Sequence, residues 1–390
     1  MPLVQAGMIV TAPPAAGQGA DVSSRHGTDL QGLHVLRGFA ALSVLVFHCV
    51  HVGPWPAFPE NGPLAWFRIG GFGVAIFFAL SGFVITQAAL REHEAQPGRA
   101  RSVFMLKRIA RIAPLYLLTS IASLVLVEPG PVLGADAWFQ ILTHLTFTHS
   151  LFPSTINAIN GPTWSIGVEF QLYLLVAIAM PWLPRLRPAL LAAICIVVPV
   201  LFRTAAYVYQ RDVLALPFTD LAYWVASVQV PGSIDSFGVG AAMALARARA
   251  TRQGEWSNWW LPLLAMATVL AAFTSLLLRF APPYLWSNLA WSVLLLSMAA
   301  AMAIAMLAIA IRLPNAGVRS VHRPFVYLGT ISYGIYLWHL PVILLLKRHG
   351  SLEHGALALA AACITLVLSA LSWHGLERPA IEWARRRLRR

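Results

Sequence analysis

Apolar positions along the chain gather into long runs, each close to the roughly 20 residues an α-helix needs to cross a bilayer core, with short polar connections between them. The runs fall near 31–52, 70–90, 109–127, 161–183, 188–208, 222–246, 259–279, 285–311, 324–346 and 355–376. They predict an all-α fold, a polytopic transmembrane helix bundle of about ten spans. The segment 137–152 is apolar but short, and predicts a re-entrant or interfacial element instead of a further crossing. Residues 1–29 are rich in Ala, Gly and Pro and lack the basic start and apolar core of a cleaved signal peptide. They predict a disordered cytoplasmic tail, followed by the bundle over 30–382 and a basic cytoplasmic tail over 383–390.

Composition agrees with a lipid setting: 58% of residues are hydrophobic and 11% charged, against roughly 45–50% apolar in soluble domains. A net charge of +13 would suggest a nucleic-acid partner in a soluble protein. Here the basic residues sit in short loops, so they mark topology, and no nucleic acid is expected. The basic stretches Arg91 to Arg111, Arg185 to Arg187, Arg247 to Arg252, Arg312 to Arg323 and Arg385 to Arg390 share one side of a ten-span arrangement. Both termini are therefore expected in the cytoplasm, with loops 53–69, 128–160, 209–221, 280–284 and 347–354 facing outward. Arg211 and the cluster Lys347, Arg348, His349 run against this pattern. Cys49, Cys195 and Cys363 lie far apart in apolar segments, which implies neither a disulfide nor a metal site.

Ionisable residues inside spans are costly and mark function or a paired contact. Arg37 and His48 share the first span; eleven residues apart, they lie on nearly one helix face about 16 Å from each other. An imidazole suits removal of a proton from an alcohol near neutral pH. His48 is also compatible with a buried core histidine, and a metal site with His51 lacks a third ligand. Glu169, in the fourth span, is suited to orient a histidine, bind a hydroxyl or pair with an arginine. His339 lies among Tyr333, Tyr336 and Trp338, an aromatic stripe that fits either a core or a sugar-stacking surface. Arg108 and Arg111, three residues apart, present two guanidinium forks that match phosphate geometry, with Lys107 beside them; an ordinary basic anchor at the membrane face has the same pattern.

Five blocks in order resemble the membrane-bound acyltransferase-3 family. They are Leu36-Arg37-Gly38 through Val46-Phe47-His48; Gly73 through Thr86; Arg108 and Arg111 ending in Pro114-Leu115-Tyr116; Trp164-Ser165 through Glu169 and Tyr173; and Gly329 through His339, with a closing Glu377-Arg378-Pro379. The resemblance implies an O-acyltransferase of surface polysaccharides and related acceptors in the bacterial inner (cytoplasmic) membrane. It implies a catalytic His48 and a role for Arg37, Arg108 and Arg111 toward the acyl donor. Acyl-CoA, acetyl-CoA in the expected case, is then a co-substrate, with no bound cofactor. The expected acceptor is a cell-envelope glycan or glycolipid, presented amid membrane lipids by the bundle, its outward loops or a polysaccharide-assembly partner protein. Glu169 and His339 are expected to join His48 in catalysis, with Trp164, Ser332, Tyr333, Tyr336, Trp338 and Asp235 as acceptor or oxyanion candidates. Around Asp235 the chain departs from the family, whose members often carry an arginine before the aspartate where Gly232 and Ser233 stand here. The rival reading is a proton-coupled secondary transporter using Arg37, His48, Glu169 and His339, but the halves of the chain show no repeat.

Overall fold

The computed structural model of the protein describes residues 31–53, 55–215, 221–253, 266, 269–279, 288–312, 323–350 and 352–389. The tail expected over 1–29, the whole of loop 280–284 and much of the run at 259–279 lie outside them. The described chain is helical throughout: α1 (Gln31–Val52), α2 (Gly73–Ala95), α3 (Ala100–Ala122), α4 (Ala137–Leu145), α5 (Trp164–Ala179), α6 (Pro188–Val208), α7 (Leu221–Val228), α8 (Val230–Gln253), α9 (Val269–Arg279), α10 (Leu289–Ala310), α11 (Arg323–Thr330), α12 (Ser332–His349), α13 (His354–Ser372) and α14 (Arg378–Arg389). Among these residues seven helices are long and apolar enough to cross a membrane, or eight if the bent pair α11 and α12 is one span. The protein is a multi-pass membrane protein.

Two of the predicted runs are broken by local chemistry. The run 222–246 divides at Gln229, because Pro231 has no N–H to give and disfavours helical backbone before it. The Gln229 amide then donates to the carbonyls of Val225 (2.9 Å) and Ser150 (2.5 Å), and Ser233 donates to Gln229 O (2.9 Å). The run 324–346 bends by 68° between α11 and α12, where the Ser332 hydroxyl donates to Gly329 O at 2.9 Å. Helix α4, with nine residues, reaches only about 14 Å and does not cross a bilayer.

Helix α2 lies at the centre, against α1, α3, α5, α8 and α10. Its crossing with α8 depends on glycine: a Cβ on Gly82 would stand 1.9 Å from Phe237 O, and one on Gly240 would stand 2.2 Å from Ala79 O. Gly82→Val is therefore expected to part the two backbones and sharply reduce the monodisperse protein recovered from membranes. Gly98→Ala, with nothing within 4 Å of the added carbon, serves as the unaffected control in the same size-exclusion assay. Equal recovery of both variants would contradict the packing argument.

Helix α1 packs against α11, α12 and α13 on its other side. The cations that run against the topology pattern at the end of α12 have a local role. Lys347 donates to Val52 O, and Arg348 donates to Val127 O at 2.6 Å. They cap orphan carbonyls at the ends of α1 and of the wide turn that extends α3, where the helix dipole favours positive charge. The stretch from 383, read as a tail, continues α14 through Arg389 and lies against α3.

Candidate active site

Three abutting cavities lead from a basic rim to His48. The first, of about 840 Å³, is lined by six cations, Arg91, Lys107, Arg108, Arg111, Arg378 and Arg385, and two carboxylates, Glu92 and Glu382. Lys107 pairs with Glu92. Arg108 and Arg111 also line the second cavity, of about 80 Å³, together with Arg37, Ser81, Glu169, Tyr173, Ser332, Tyr333 and Tyr336. Val74 and Tyr336 continue from there into the third, of about 640 Å³, which His48 lines. The helical period explains the alignment: Arg108 and Arg111 share a face of α3, while Arg37 and His48 share a face of α1.

The histidines form a directed pair. His48 Nδ1 lies 2.9 Å from Val44 O, and His339 Nδ1 lies 3.2 Å from Ile335 O. A carbonyl only accepts, so in the neutral rings both protons sit on Nδ1. His339 Nε2 is then a bare acceptor, 3.2 Å from His48 Nδ1. This leaves His48 Nε2 unprotonated, with no hydrogen-bond partner among the described residues, as a base requires. His339 is fully buried and lines none of these three cavities. It touches His48 and not the space a substrate would occupy.

Glu169 is placed with the arginines instead of with His48. Its carboxylate accepts from the Ser81 hydroxyl and from Tyr173 at 2.5 Å; neither a bond to His48 nor an arginine within 4.0 Å is among its contacts. Three hydroxyls expected as oxyanion donors have their protons engaged. Tyr333 donates to Ile112 O (3.0 Å), Tyr336 to Pro162 O (2.8 Å) and Ser332 to Gly329 O (2.9 Å). The Arg37 guanidinium faces the same cavity with no hydrogen bond or ion pair to the described residues, and Arg108 Nε is unpartnered beside it, so the arginines hold free donors there. Trp338 turns away: two residues past Tyr336 a helix has rotated by about 200°, and its indole donates to Ser372 on α13 at 2.8 Å. Trp164 lines the His48 cavity.

Arg111 lies 4.0 Å from Glu377 and stacks over Trp373. Asp235 recovers an arginine from another helix, Arg203 on α6, at 2.9 Å. The rule that singled out Arg37, an ionisable side chain within an apolar run, applies equally to Arg203 and would have found it. No comparable sequence signal pointed to Trp224, which joins the cavities only through packing; Ser81, Arg91, Arg378 and Arg385 stood in motif blocks or basic stretches, but only packing assigns them to these cavities. Outside the spans, His144 and His149 stack at 4.4 Å. His149 bonds to Thr163 O at 3.0 Å, and burial, with His144 beside it, lowers its pKa to about 3. It is a neutral strut below α5. Among the described residues no group of three or more His, Cys, Asp or Glu is placed to hold a metal ion.

The model of the acyltransferase-3 family, described as an acyltransferase domain, matches residues 30–374. The chain is 28% identical to acyltransferase MdmB of Streptomyces mycarofaciens, over 92% of this chain and 93% of that one. It is 26% identical to nodulation protein 10 of Rhizobium leguminosarum bv. viciae, over 89% and 92% of the two chains. It is 23% identical to peptidoglycan O-acetyltransferase OatA of Listeria monocytogenes, over 88% of this chain but only 54% of that longer protein. No solved structure matches.

Proposed function

The chain belongs to the acyltransferase-3 family, and from that premise we propose that it moves an acyl group, acetyl in the expected case, from cytosolic acyl-CoA to a hydroxyl of a cell-envelope glycan or glycolipid. It does so in the bacterial inner membrane with both termini cytoplasmic. The basic rim receives the phosphates of coenzyme A, whose forks and charge they match. The thioester arm passes Arg108 and Arg111 to Arg37, and the acceptor hydroxyl reaches His48 from the opposite side.

His48 Nε2 takes the hydroxyl proton as the oxygen attacks the thioester carbonyl carbon. Negative charge gathers on the carbonyl oxygen beside His48, where Trp164, which lines the same cavity, offers an indole N–H, while Arg37 holds the donor arm one cavity away. Collapse of the adduct breaks the carbon–sulfur bond, and the thiolate leaves and is protonated by the His48 imidazolium. His339 is a positioning residue: its Nε2 accepts from His48 Nδ1–H and keeps the reactive nitrogen turned to the cavity. Glu169 holds Ser81 and Tyr173 and contributes negative charge among three arginines.

The observation that carries this reading is the run of cavities sharing Arg108, Arg111, Val74 and Tyr336, with phosphate-matching cations at one end and an unprotonated imidazole nitrogen at the other. The test is proton NMR of envelope polysaccharides from otherwise identical cells with and without the protein. O-acetyl signals present only with the protein are expected, and they identify the glycan. Identical spectra for both cell types, with the protein present in membranes, would overturn acetyl transfer to a glycan.

A further inference from the structure

A fourth cavity, of about 570 Å³, adjoins the His48 cavity and shares Phe47, Gly71, Val74, Trp164 and Trp224 with it. Arg203 from α6 and Asp235 from α8 line it. Arg203 is 3% exposed, and its Nη2 donates to Asp235 Oδ2 at 2.9 Å. Its Nε and Nη1 are buried with no partner. Donors left unpaired in a dry interior are costly and call for an acceptor the protein itself does not supply. Arg68 repeats the arrangement at the cavity edge, with Nη1 3.2 Å from Glu60 and Nε unpartnered.

The chemistry of the wall selects the ligand. Each guanidinium already has a carboxylate beside it, so the cavity does not need an anion to balance its charge. It offers spare N–H donors, a carboxylate able to accept from hydroxyls, and two indoles whose centroids lie 5.6 Å apart at 77°. A pyranose ring meets all three, with hydroxyl and ring oxygens for Arg203, hydroxyl protons for Asp235 and an apolar C–H face for an indole. We propose that this cavity is a subsite for an uncharged pyranose ring, held by Arg203, Asp235 and Trp224 beside His48. That the ring belongs to the acyl acceptor rests on the transferase reading above; that the cavity binds it does not.

The test uses the full chain in lipid nanodiscs and saturation-transfer NMR titrations with the methyl pyranosides of glucose, galactose, mannose and N-acetylglucosamine, with glycerol phosphate as the anionic arm. Binding of coenzyme A is measured on the same samples. At least one glycoside is expected to bind saturably. Arg203→Lys keeps a cation beside Asp235 but loses the spare donors, and is expected to weaken binding about tenfold. Trp224→Phe is expected to weaken it about fivefold, and both variants should bind coenzyme A as the wild type does. If Arg203→Lys lost coenzyme A binding as well, it would be misfolded and Trp224→Phe would decide. No saturable glycoside binding, unchanged binding in Trp224→Phe, or saturation by glycerol phosphate alone would overturn the subsite. Failure of glycosides with coenzyme A still bound would leave the transferase reading standing, whereas failure of coenzyme A to bind the wild type would count against that reading itself.

Discussion

His48→Ala is expected to slow acyl transfer by about 10²–10⁴-fold, the range a positioned general base contributes, while coenzyme A binding stays unchanged. The side chain lies on the acceptor side of the cavity run, remote in sequence and space from the arginines of the basic rim. Its loss should therefore appear in the rate at saturating donor and not in donor affinity. The neighbouring ring refines the expectation. His339→Leu removes the acceptor 3.2 Å from His48 Nδ1; a hydrogen bond to a group that becomes charged is worth about 1.5–3 kcal/mol, or roughly 10–150-fold in rate. His339→Gln, whose side-chain oxygen accepts, is expected to recover most of that loss. A purely structural His339 would lower protein recovery in both variants without separating them. Transfer by His48→Ala at more than about a tenth of the wild-type rate would remove it from the base role.

Arg108→Ala combined with Arg111→Ala is expected to weaken coenzyme A binding by about 100-fold or more, since each fork loses charge-assisted bonds worth about 1.5–3 kcal/mol to phosphate. Calorimetric titration of coenzyme A into nanodisc-held protein reads this directly, and the wild-type affinity should fall with added salt while the variant's falls less. Arg108→Ala is the cleaner single change, because Arg108 Nε is buried without a partner and is free for a ligand. Arg111 is different: it stands 4.0 Å from the fully buried Glu377, both of whose carboxylate oxygens lack a hydrogen bond. Removing it strands a carboxyl group and costs stability as well as affinity. Arg108→Lys keeps the charge without the fork and should fall between wild type and alanine. Equal affinity in the double variant and the wild type would place the donor phosphates elsewhere.

The sequence by itself determined the lipid setting, the helical class and the family, because hydrophobicity is summed over whole runs and motif order survives any packing. It also determined which side chains deserved scrutiny, since an ionisable group in an apolar run stands out without a structure. Arg37 was legible in this way, Arg108 and Arg111 were legible as guanidinium forks spaced three apart, and the structure brings all three to one cavity. What tertiary structure decided was which group meets which. Glu169 was compatible with three partners, and α2 settled it by delivering Ser81. His339 and Trp338 were adjacent members of one aromatic stripe, and the rotation of α12 against α1 and α13 gave one to His48 and the other to Ser372. Asp235 lacked its expected arginine along the chain and obtained one across it, from α6. The span boundaries blurred for a related reason: Pro231 and the bend at Ile331 interrupt helices at points where apolarity continues unbroken. Periodicity fixes the face a side chain occupies within its own helix, but the angle and depth at which two helices cross are set by local contacts such as Gly82 on Phe237, and those contacts lie far apart in sequence.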